Sequence, residues 1–184
     1  MGYTDPETVH NPASGQVAPA SWGDQVNANQ QWFADPARVK VYRSSNFTTS
    51  TATQTAVLWN AEEWDTDTMH STVSNTDRLT ATTAGRYIVL CQVLFAAGST
   101  ATTGRRLQIW KNGTSGVLLA SDLIESPSAV AYNRLQAAVE VELAASDYVS
   151  AVVYQDSTVN LDVIGAALGT SDRSWMSMRW IGTS

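Results

Sequence analysis

The sequence predicts an all-β protein, an antiparallel jelly-roll β-sandwich with a short N-terminal arm and helix. From Arg38 onward, apolar residues recur with period two in short runs, and clusters of Gly, Asn, Asp, Ser and Thr separate these runs. No long helical pattern interrupts them. The composition agrees, because 43% of the 184 residues are hydrophobic and only 15% are charged. Such a balance suits a β-rich protein whose surface is covered mainly by uncharged polar groups.

The first 36 residues are predicted to form a segment separate from the head domain, which spans residues 37–184. Residues 1–19 hold three prolines, two glycines and many small polar residues, a composition that favours an extended arm without a core of its own. Ser21 and Asp24 then fit the start of a helix as N-cap and capping-box partner. Asp35-Pro36 ends this helix after about three turns.

The predicted helix carries an apolar stripe that is large for so short an element. It consists of Trp22, Val26, Trp32 and Phe33. The stripe either packs on the chain's own head domain or docks on a neighbouring protein, and the pattern alone does not separate the two. On the second interpretation, these four residues attach the protein to its partner.

The head domain is predicted to contain eight to ten strands, which is typical of an antiparallel sandwich or jelly roll. The strongest turn signal is Asn112-Gly113, because both residue types accept the positive φ angles of a tight hairpin. The candidate strands are 38–43, 55–59, 78–82, 86–96, 105–111, 116–120, 131–143, 147–155, 159–164 and 174–181.

Two of these strands, 86–96 and 147–155, are apolar on both faces, whereas strand 131–143 carries glutamine and glutamate on its second face. An antiparallel sandwich normally exposes one face of each sheet to water. The apolar second faces therefore predict burial against sister subunits. Such burial contributes a free energy of ~25 cal/mol per Å2 of apolar surface removed from water. The alternative is a cover supplied by a loop or by the N-terminal helix. The predicted oligomer interface consists of Ile88, Leu90, Leu94, Tyr148, Val152 and Tyr154.

Charge and cysteine content exclude several functional classes. The formal net charge is -6 and no run of Lys or Arg could follow a phosphate backbone, which argues against nucleic-acid binding. No apolar run approaches the ~20 residues needed to span a bilayer, and the N-terminus lacks the features of a signal peptide, so no membrane insertion is expected. Cys91 is the only cysteine, so no intramolecular disulfide can form, and its apolar surroundings predict a small core residue.

No catalytic, metal or cofactor site is predicted. His10 and His70 are the only histidines, and neither has a second ligand at suitable spacing. The acidic cluster at residues 62–67 has three interpretations. It is a solvated turn, a calcium site without the full loop of known motifs, or part of a glycosidase pair in which Asp65 or Asp67 would face another carboxylate across a cleft. The expectation is a non-enzymatic protein.

Four segments, in this order along the chain, carry a resemblance to a known family. They are residues 85–89, 107–113, 143–149 and 175–181, with the sequences GRYIV, LQIWKNG, LAASDYV and WMSMRWI. Together they resemble the complement-type globular head, a trimeric jelly roll related to tumour necrosis factor that also occurs in bacteriophage structural proteins. The resemblance extends over residues 37–184.

One residue departs from the family pattern, since Ser146 stands where the family usually has glycine. The departure is expected to alter a turn and to leave the strand pattern intact. Residues 3–33 resemble the leader of phage proteins that carry such heads.

The resemblance implies a homotrimeric virion structural protein of a phage, made in the host cytoplasm. In the first hypothesis, the arm and helix bind other virion proteins of a capsid or tail, and the trimer projects as a decoration or spike. In the second, the chain is the host-recognition or carbohydrate-binding head of a tail fibre, in which exposed aromatic residues stack on a host surface glycan. Trp59, Trp64 and Tyr132 are the candidate stacking residues. Both hypotheses rest on binding, and neither needs a cofactor.

Overall fold

The computed structural model describes residues 20–97, 101–125, 131–165 and 173–183. The chain divides into two compact units, one ending at Ala37 and the other beginning at Arg38. The predicted arm, residues 1–19, lies outside the described residues. Within the described ranges, no helix combines the length and the apolar character that crossing a bilayer requires.

The single helix of the described ranges, α1, spans Ala20–Ala34. It includes Ser21, so the prediction that Ser21 is the N-cap is wrong: its backbone is already helical, and a cap residue must lie outside the first turn. The predicted end of the helix is confirmed. The N–H of Asp35 donates to the carbonyl oxygen of Gln31 (2.8 Å), and Pro36 cannot continue the pattern.

Twelve strands occur in the described part of the second unit. They are β1 (Arg38–Tyr42), β2 (Phe47–Thr49), β3 (Thr55–Ala56), β4 (Ala61–Asp65), β5 (Arg78–Thr80), β6 (Gly85–Phe95), β7 (Ala101–Lys111), β8 (Val117–Ile124), β9 (Asn133–Leu143), β10 (Tyr148–Ser157), β11 (Leu161–Val163) and β12 (Trp175–Gly182).

These strands form two antiparallel sheets. Sheet A has seven strands in the order β2-β11-β6-β12-β1-β4, with β9 paired to the remaining edge of β6. Sheet B has five strands in the order β3-β10-β7-β8, with β5 also paired to β10. The prediction of an all-β antiparallel sandwich is confirmed.

The inner faces of the two sheets form the apolar core. Sheet A contributes alternate residues of β1, β6, β9 and β12, and sheet B contributes those of β7 and β10. Cys91 is one of the core residues, only 2% exposed, and burial raises the pKa of its thiol. The side chains with no exposed surface include Val41, Tyr87, Val89, Phe95, Leu107, Ile109, Leu135, Val149, Val153 and Met176.

Two short strands, β2 and β4, are absent from the predicted set. β2 lies in a threonine-rich segment and pairs with β11, and β4 lies within the acidic cluster and pairs with β1. Both are edge strands whose side chains are mostly half-buried or exposed, so neither shows the apolar alternation that the prediction requires. The predicted strand 55–59 is shortened to β3, although Val57 and Trp59 beyond its end are buried.

The first residue of β6 occupies a position that only glycine fits. Gly85 has a φ of +147°, and a Cβ there would lie 2.3 Å from Nε1 of Trp180 and 2.5 Å from the carbonyl oxygen of Gly182. Trp180 donates from Nε1 to the carbonyl oxygen of Ala84 (3.3 Å). The start of β6 therefore packs directly against β12, and this contact explains the glycine that opens the GRYIV segment.

Two turns at one end of the sandwich are joined by Asn112. Asn112 and Gly113 both have positive φ, 57° and 77°, as the turn signal predicts, but the connection between β7 and β8 runs over residues 112–116 and is not a two-residue hairpin. Asn112 donates from Nδ2 to Asp147 (2.8 Å). This bond, together with the Lys111 ammonium 2.8 Å away, lowers the pKa of Asp147 to about 2.

Ser146 adopts a left-handed backbone conformation, with a φ of 76°. A residue other than glycine pays about 1 kcal/mol for this conformation. The N–H of Ser146 donates to the carbonyl oxygen of Ala81 (2.8 Å), and β10 begins two residues later. The departure from the family pattern thus strains the turn, and the strand pattern stays intact as expected.

Candidate functional site

The outer face of sheet A carries exposed apolar side chains at its centre. Ile88 and Leu90 are each 40% exposed, although their strand, β6, is paired on both edges. A central strand that faced water alone would present polar residues on that side. This surface is named the sheet A patch, and it consists of Trp64, Ile88, Leu90, Ala138 and Trp175.

Leu90 stands between two hollows of the sheet A patch. Its cross-strand neighbours are Ser177 on β12 and Ala138 on β9, both small. One hollow, of about 320 Å3, lies on the side of Trp64 and Ile88, and the other, of about 270 Å3, lies on the side of Ala138 and Trp175. A projecting apolar side chain beside open hollows is typical of protein interfaces with high shape complementarity.

One row of residues across the sheet A patch is separated by the sign of its charges. One row of paired residues crosses the sheet in the order Arg38, Arg179, Ile88, Glu140. The arginines lie on one side of the apolar centre and the glutamate on the other. Arg179 is exposed and forms no ion pair with another described residue, whereas Glu140 lies 3.6 Å from Arg86, with both side chains about half exposed. Along this row, Arg179 therefore lies on one side of Ile88 and the carboxylate of Glu140 on the other.

The positive charge of Lys40 is balanced by a carboxylate of the same chain. Its ammonium lies 4.9 Å from the ring centroid of Trp64 and 5.3 Å from that of Trp175, and it pairs with Glu63 at 3.0 Å. Arg173 also pairs with Glu63, at 2.7 Å. Burial alone would raise the pKa of Glu63, but hydrogen bonds and charges from Lys40 and Arg173 outweigh it and lower that pKa. The lysine charge consequently does not oppose burial of the neighbouring rings.

The six predicted interface residues do not share one face. β6 belongs to sheet A and β10 to sheet B, so their outer faces point to opposite sides of the sandwich. Leu94 and Val152 are already buried, with 4% and 2% exposure. The prediction of a common face is wrong for these two and for the residues of β10. Alternation along a strand shows which side chains share a side of that strand, but it does not show to which sheet the strand belongs.

Sheet B has a different outer face. Tyr148 and Tyr154 are half-buried there, and the guanidinium of Arg78 lies 4.1 Å from the ring centroid of Tyr148. Exposed apolar residues on this face include Leu118 and Leu123, which lie on the edge strand β8. Exposed apolar residues on an edge are common in single-chain proteins, so this face gives weaker evidence for an interface.

The acidic cluster at residues 62–67 stabilises a loop. Asp65 accepts the N–H groups of Asp67 (3.1 Å), Met69 (3.0 Å) and His70 (2.9 Å). Glu62 lies 2.8 Å from Nδ1 of His70. In the described part of the chain, no three His, Cys, Asp or Glu residues are grouped to hold a metal ion. These bonds favour a structural role of the cluster over a calcium-binding or hydrolytic one.

The three aromatic residues predicted as stacking platforms have different environments. Trp59 is fully buried, so the prediction that it is exposed is wrong. Trp64 is 40% exposed but belongs to the sheet A patch. Tyr132 is 49% exposed and immediately precedes β9, at the end of the sandwich opposite Arg38. Of the three, Tyr132 alone offers an exposed ring outside the patch.

On α1 itself, the four predicted attachment residues do not form one stripe. At about 100° per residue, Trp22, Val26 and Phe33 lie on the same side of the helix, while Trp32 lies about a quarter turn away. Trp22 is 40% and Phe33 58% exposed. An apolar stripe of three residues is therefore present on the helix.

Comparison with known proteins places the second unit among jelly rolls. No protein-family model matches the chain, and no curated protein matches it. Solved structures do. The Eiger tumour necrosis factor of S. frugiperda superposes with a TM-score of 0.57 at 14% identity, covering 80% of this chain and 94% of that one. The globular domain of zebrafish complement 1qA gives 0.53 at 13% identity, with coverages of 80% and 99%. Murine APRIL gives 0.56 at 14% identity, with coverages of 79% and 98%.

At such low identities, the likeness establishes the fold alone. It agrees with the resemblance carried by the four sequence segments, which lie on β6, β7, the turn before β10, and β12. The chain therefore has the jelly-roll β-sandwich fold shared by tumour necrosis factors and complement globular heads.

Proposed function

We propose that the chain is a phage virion structural protein, a homotrimeric capsid decoration or spike anchored by its N-terminal segment. The observation that carries the proposal is the sheet A patch, because apolar side chains exposed at the centre of a sheet gain free energy when a sister subunit covers them. The family that the sequence resembles assembles as trimers and occurs in phage structural proteins. The mechanism is binding, with no catalytic step.

The distribution of charge supports a ring of subunits over a two-fold dimer. In a two-fold interface the same patch meets itself, whereas a head-to-tail interface joins one side of the patch to the opposite side of the next copy. A head-to-tail interface brings Arg179 of one copy toward Glu140 of the next. The same contact is repeated around the ring until it closes. The separation of sign across Ile88 favours this arrangement.

The N-terminal segment is proposed to attach the trimer to other virion proteins. The stripe of Trp22, Val26 and Phe33 on α1 supplies apolar contacts, and three copies would act together. After the first copy has docked, the other two are held at high effective concentration, so modest individual contacts suffice for firm attachment.

Deletion of residues 1–35 tests this division of roles. The truncated chain is expected to remain a folded trimer by sedimentation and circular dichroism, and to be lost from particles in co-sedimentation with virions. A triple variant with Trp22, Val26 and Phe33 replaced by serine is the milder version, and the matched control replaces the exposed polar residues Asn27, Gln30 and Gln31 of the same helix by serine. Truncated protein that still decorates particles would exclude attachment through this segment.

A second candidate function is host recognition or carbohydrate binding by a tail-fibre head. The exposed ring of Tyr132, at the end of the sandwich opposite the start of β1, supports it. Binding on a glycan array that is lost in Tyr132→Ala would favour this function, and stable occupancy of the capsid lattice would favour the first.

A further inference from the structure

A cleft lies beside β5, between the loop of residues 68–75 and the turn that precedes β10. Its volume is about 390 Å3, and it is named the Arg78 cleft. Five of its lining residues carry aliphatic hydroxyls and one carries an amide, and these are Thr68, Ser71, Ser74, Thr80, Ser146 and Asn75. Such a lining suits a ligand that is itself rich in hydroxyl groups.

Arg78 gives the cleft a single fixed positive charge, and no carboxylate lines it. The guanidinium stacks on Tyr148 at 4.1 Å. Its nearest carboxylate, Asp77, lies 3.6 Å from Nε, and no hydrogen bond joins Nη1 or Nη2 to another described residue. The edge of the guanidinium that carries two donors can therefore receive a carboxylate in a bidentate manner.

The loop on one side of the cleft is held rigidly. Asp65 accepts hydrogen bonds from two backbone N–H groups of this loop, those of Met69 and His70, and from that of Asp67 just before it. The ring of His70 has no exposed surface, and its nitrogens lie 2.8 Å from Glu62 and 3.3 Å from the carbonyl oxygen of Thr76. His70 thus positions the loop and is occupied on both nitrogens. A rigid lining lowers the entropy that ligand binding must overcome.

Three lining residues are held in the left-handed backbone region without being glycine. They are Thr68 with a φ of 55°, Asn75 with a φ of 50° and Ser146 with a φ of 76°. Strained backbone of this kind concentrates at ligand sites, where the function of the side chain outweighs the free-energy cost of the strained conformation. Glycine would relieve the strain and remove the polar group that faces the cleft.

We propose that the Arg78 cleft binds one acidic sugar residue, a saccharide unit that carries a carboxylate. The carboxylate pairs with Arg78, and the ring hydroxyls exchange hydrogen bonds with Asn75, Ser146 and the neighbouring hydroxyl side chains. Since no Asp or Glu lines the cleft, it lacks the carboxylate pair that glycoside hydrolysis requires. The site binds and does not cleave. This inference does not depend on the proposed trimer, because all lining residues belong to one chain.

Titration calorimetry and saturation-transfer NMR on the full chain test the proposal. The probes are sodium glucuronate, galacturonate and N-acetylneuraminate, with methyl glucoside as the neutral sugar and acetate as the carboxylate without hydroxyls. At least one acidic sugar is expected to bind at least about tenfold more tightly than either control probe. Equal binding of methyl glucoside, or no binding of any acidic sugar, would overturn the proposal.

Two kinds of variant locate the binding. Arg78→Gln is expected to weaken the acidic sugar at least about tenfold, whereas Arg106→Gln, on the outer face of the same sheet, is expected to leave the affinity within about twofold. Asn75→Gly and Ser146→Gly keep the backbone conformation and remove the side chain, so they are expected to fold normally, and Ser146→Gly to melt at a higher temperature. Each is expected to weaken binding about threefold or more. If Arg78→Gln or both glycine variants bound like the parent chain, the ligand would lie elsewhere.

Discussion

Strands β6 and β10 look alike in sequence and differ in the folded head. Both carry apolar residues on both faces. On β6, Ile88 and Leu90 remain 40% exposed on the outer face of sheet A. On β10, Val152 is 2% exposed, and Tyr148 is half-buried with the guanidinium of Arg78 4.1 Å from its ring centroid. The same sequence pattern thus leads to an exposed apolar face on β6 and to a mostly buried one on β10.

The difference shows that a strand with two apolar faces predicts burial of its second face. It does not show which part of the chain, or which other subunit, buries that face. The outer face of β10 is largely buried within the chain, whereas the two cross-strand neighbours of Leu90 on β6, Ser177 and Ala138, are too small to cover it. A sister subunit that covered β6 would remove apolar area from water at the centre of a sheet, whereas β10 has little exposed apolar area left to bury.

The largest effect is expected for Leu90→Glu. In a trimer, each copy would bury an uncompensated carboxylate in the sheet A patch, at a cost of about 3–5 kcal/mol per site. The variant is expected to sediment as a folded single copy at micromolar concentration. Leu118→Glu on sheet B is the matched control, since Leu118 is 42% exposed, and it is expected to remain a trimer. If both variants sedimented as the same species, the outer face of sheet A would not be the trimer interface.

The next effect concerns the covered face. Val152→Ala deletes buried methyl groups and is expected to lower the free energy of unfolding by about 2 kcal/mol without changing the assembly. Ile88→Ala, measured by urea denaturation in the monomeric Leu90→Glu background, is expected to change it by less than about 0.5 kcal/mol. If Ile88→Ala lowered the free energy of unfolding more than Val152→Ala, the outer face of β6 would be buried within the chain.

A smaller effect is expected from the charges beside the sheet A patch. Arg179→Glu and Glu140→Arg are each expected to weaken the trimer about tenfold, or about 1.4 kcal/mol, because each places like charges across the interface. The double variant restores the opposite signs and is expected to recover most of the affinity. The effect should shrink at high salt, since exposed charges are screened. A double variant weaker than either single one would contradict the head-to-tail arrangement.

The smallest effect is a pH dependence confined to the turn before β10. The pKa of Asp147 is lowered to about 2 from 3.8 by Asn112 and Lys111, so its contribution to stability is complete above pH ~4 and is lost as the pH falls toward 2. In the monomeric Leu90→Glu background, Asp147→Asn is expected to flatten the decline of the thermal midpoint between pH 4 and 2. The control is Asp24→Asn on α1, which should leave that decline unchanged.

Several local features were predictable because their causes lie in neighbouring residues. The positive φ angles of Asn112 and Gly113, the end of α1 before Pro36, and the strand pattern around Ser146 all follow from the residue types at those positions. Core alternation on β6 was predictable for the same reason, since Tyr87, Val89 and Cys91 point to one side of a single strand.

Other features could not be predicted because their causes are distant in the chain. The acidic segment of β4 is a strand only because β1 pairs with it, and Asp65 is structural only because the loop turns its N–H groups back to the carboxylate. The Arg78 cleft joins residues 68–80 to residues 146–148, and no sequence signal connects the two segments.

By itself, the sequence determined that the head is a two-sheet antiparallel sandwich with more apolar strand faces than one solitary core needs. The tertiary structure alone decided which of those faces stays uncovered, because sheet membership assigns β6 and β10 to opposite sides. The physical reason is that side-chain alternation is a property of one strand, whereas exposure depends on the residues that pairing and packing bring from elsewhere in the chain.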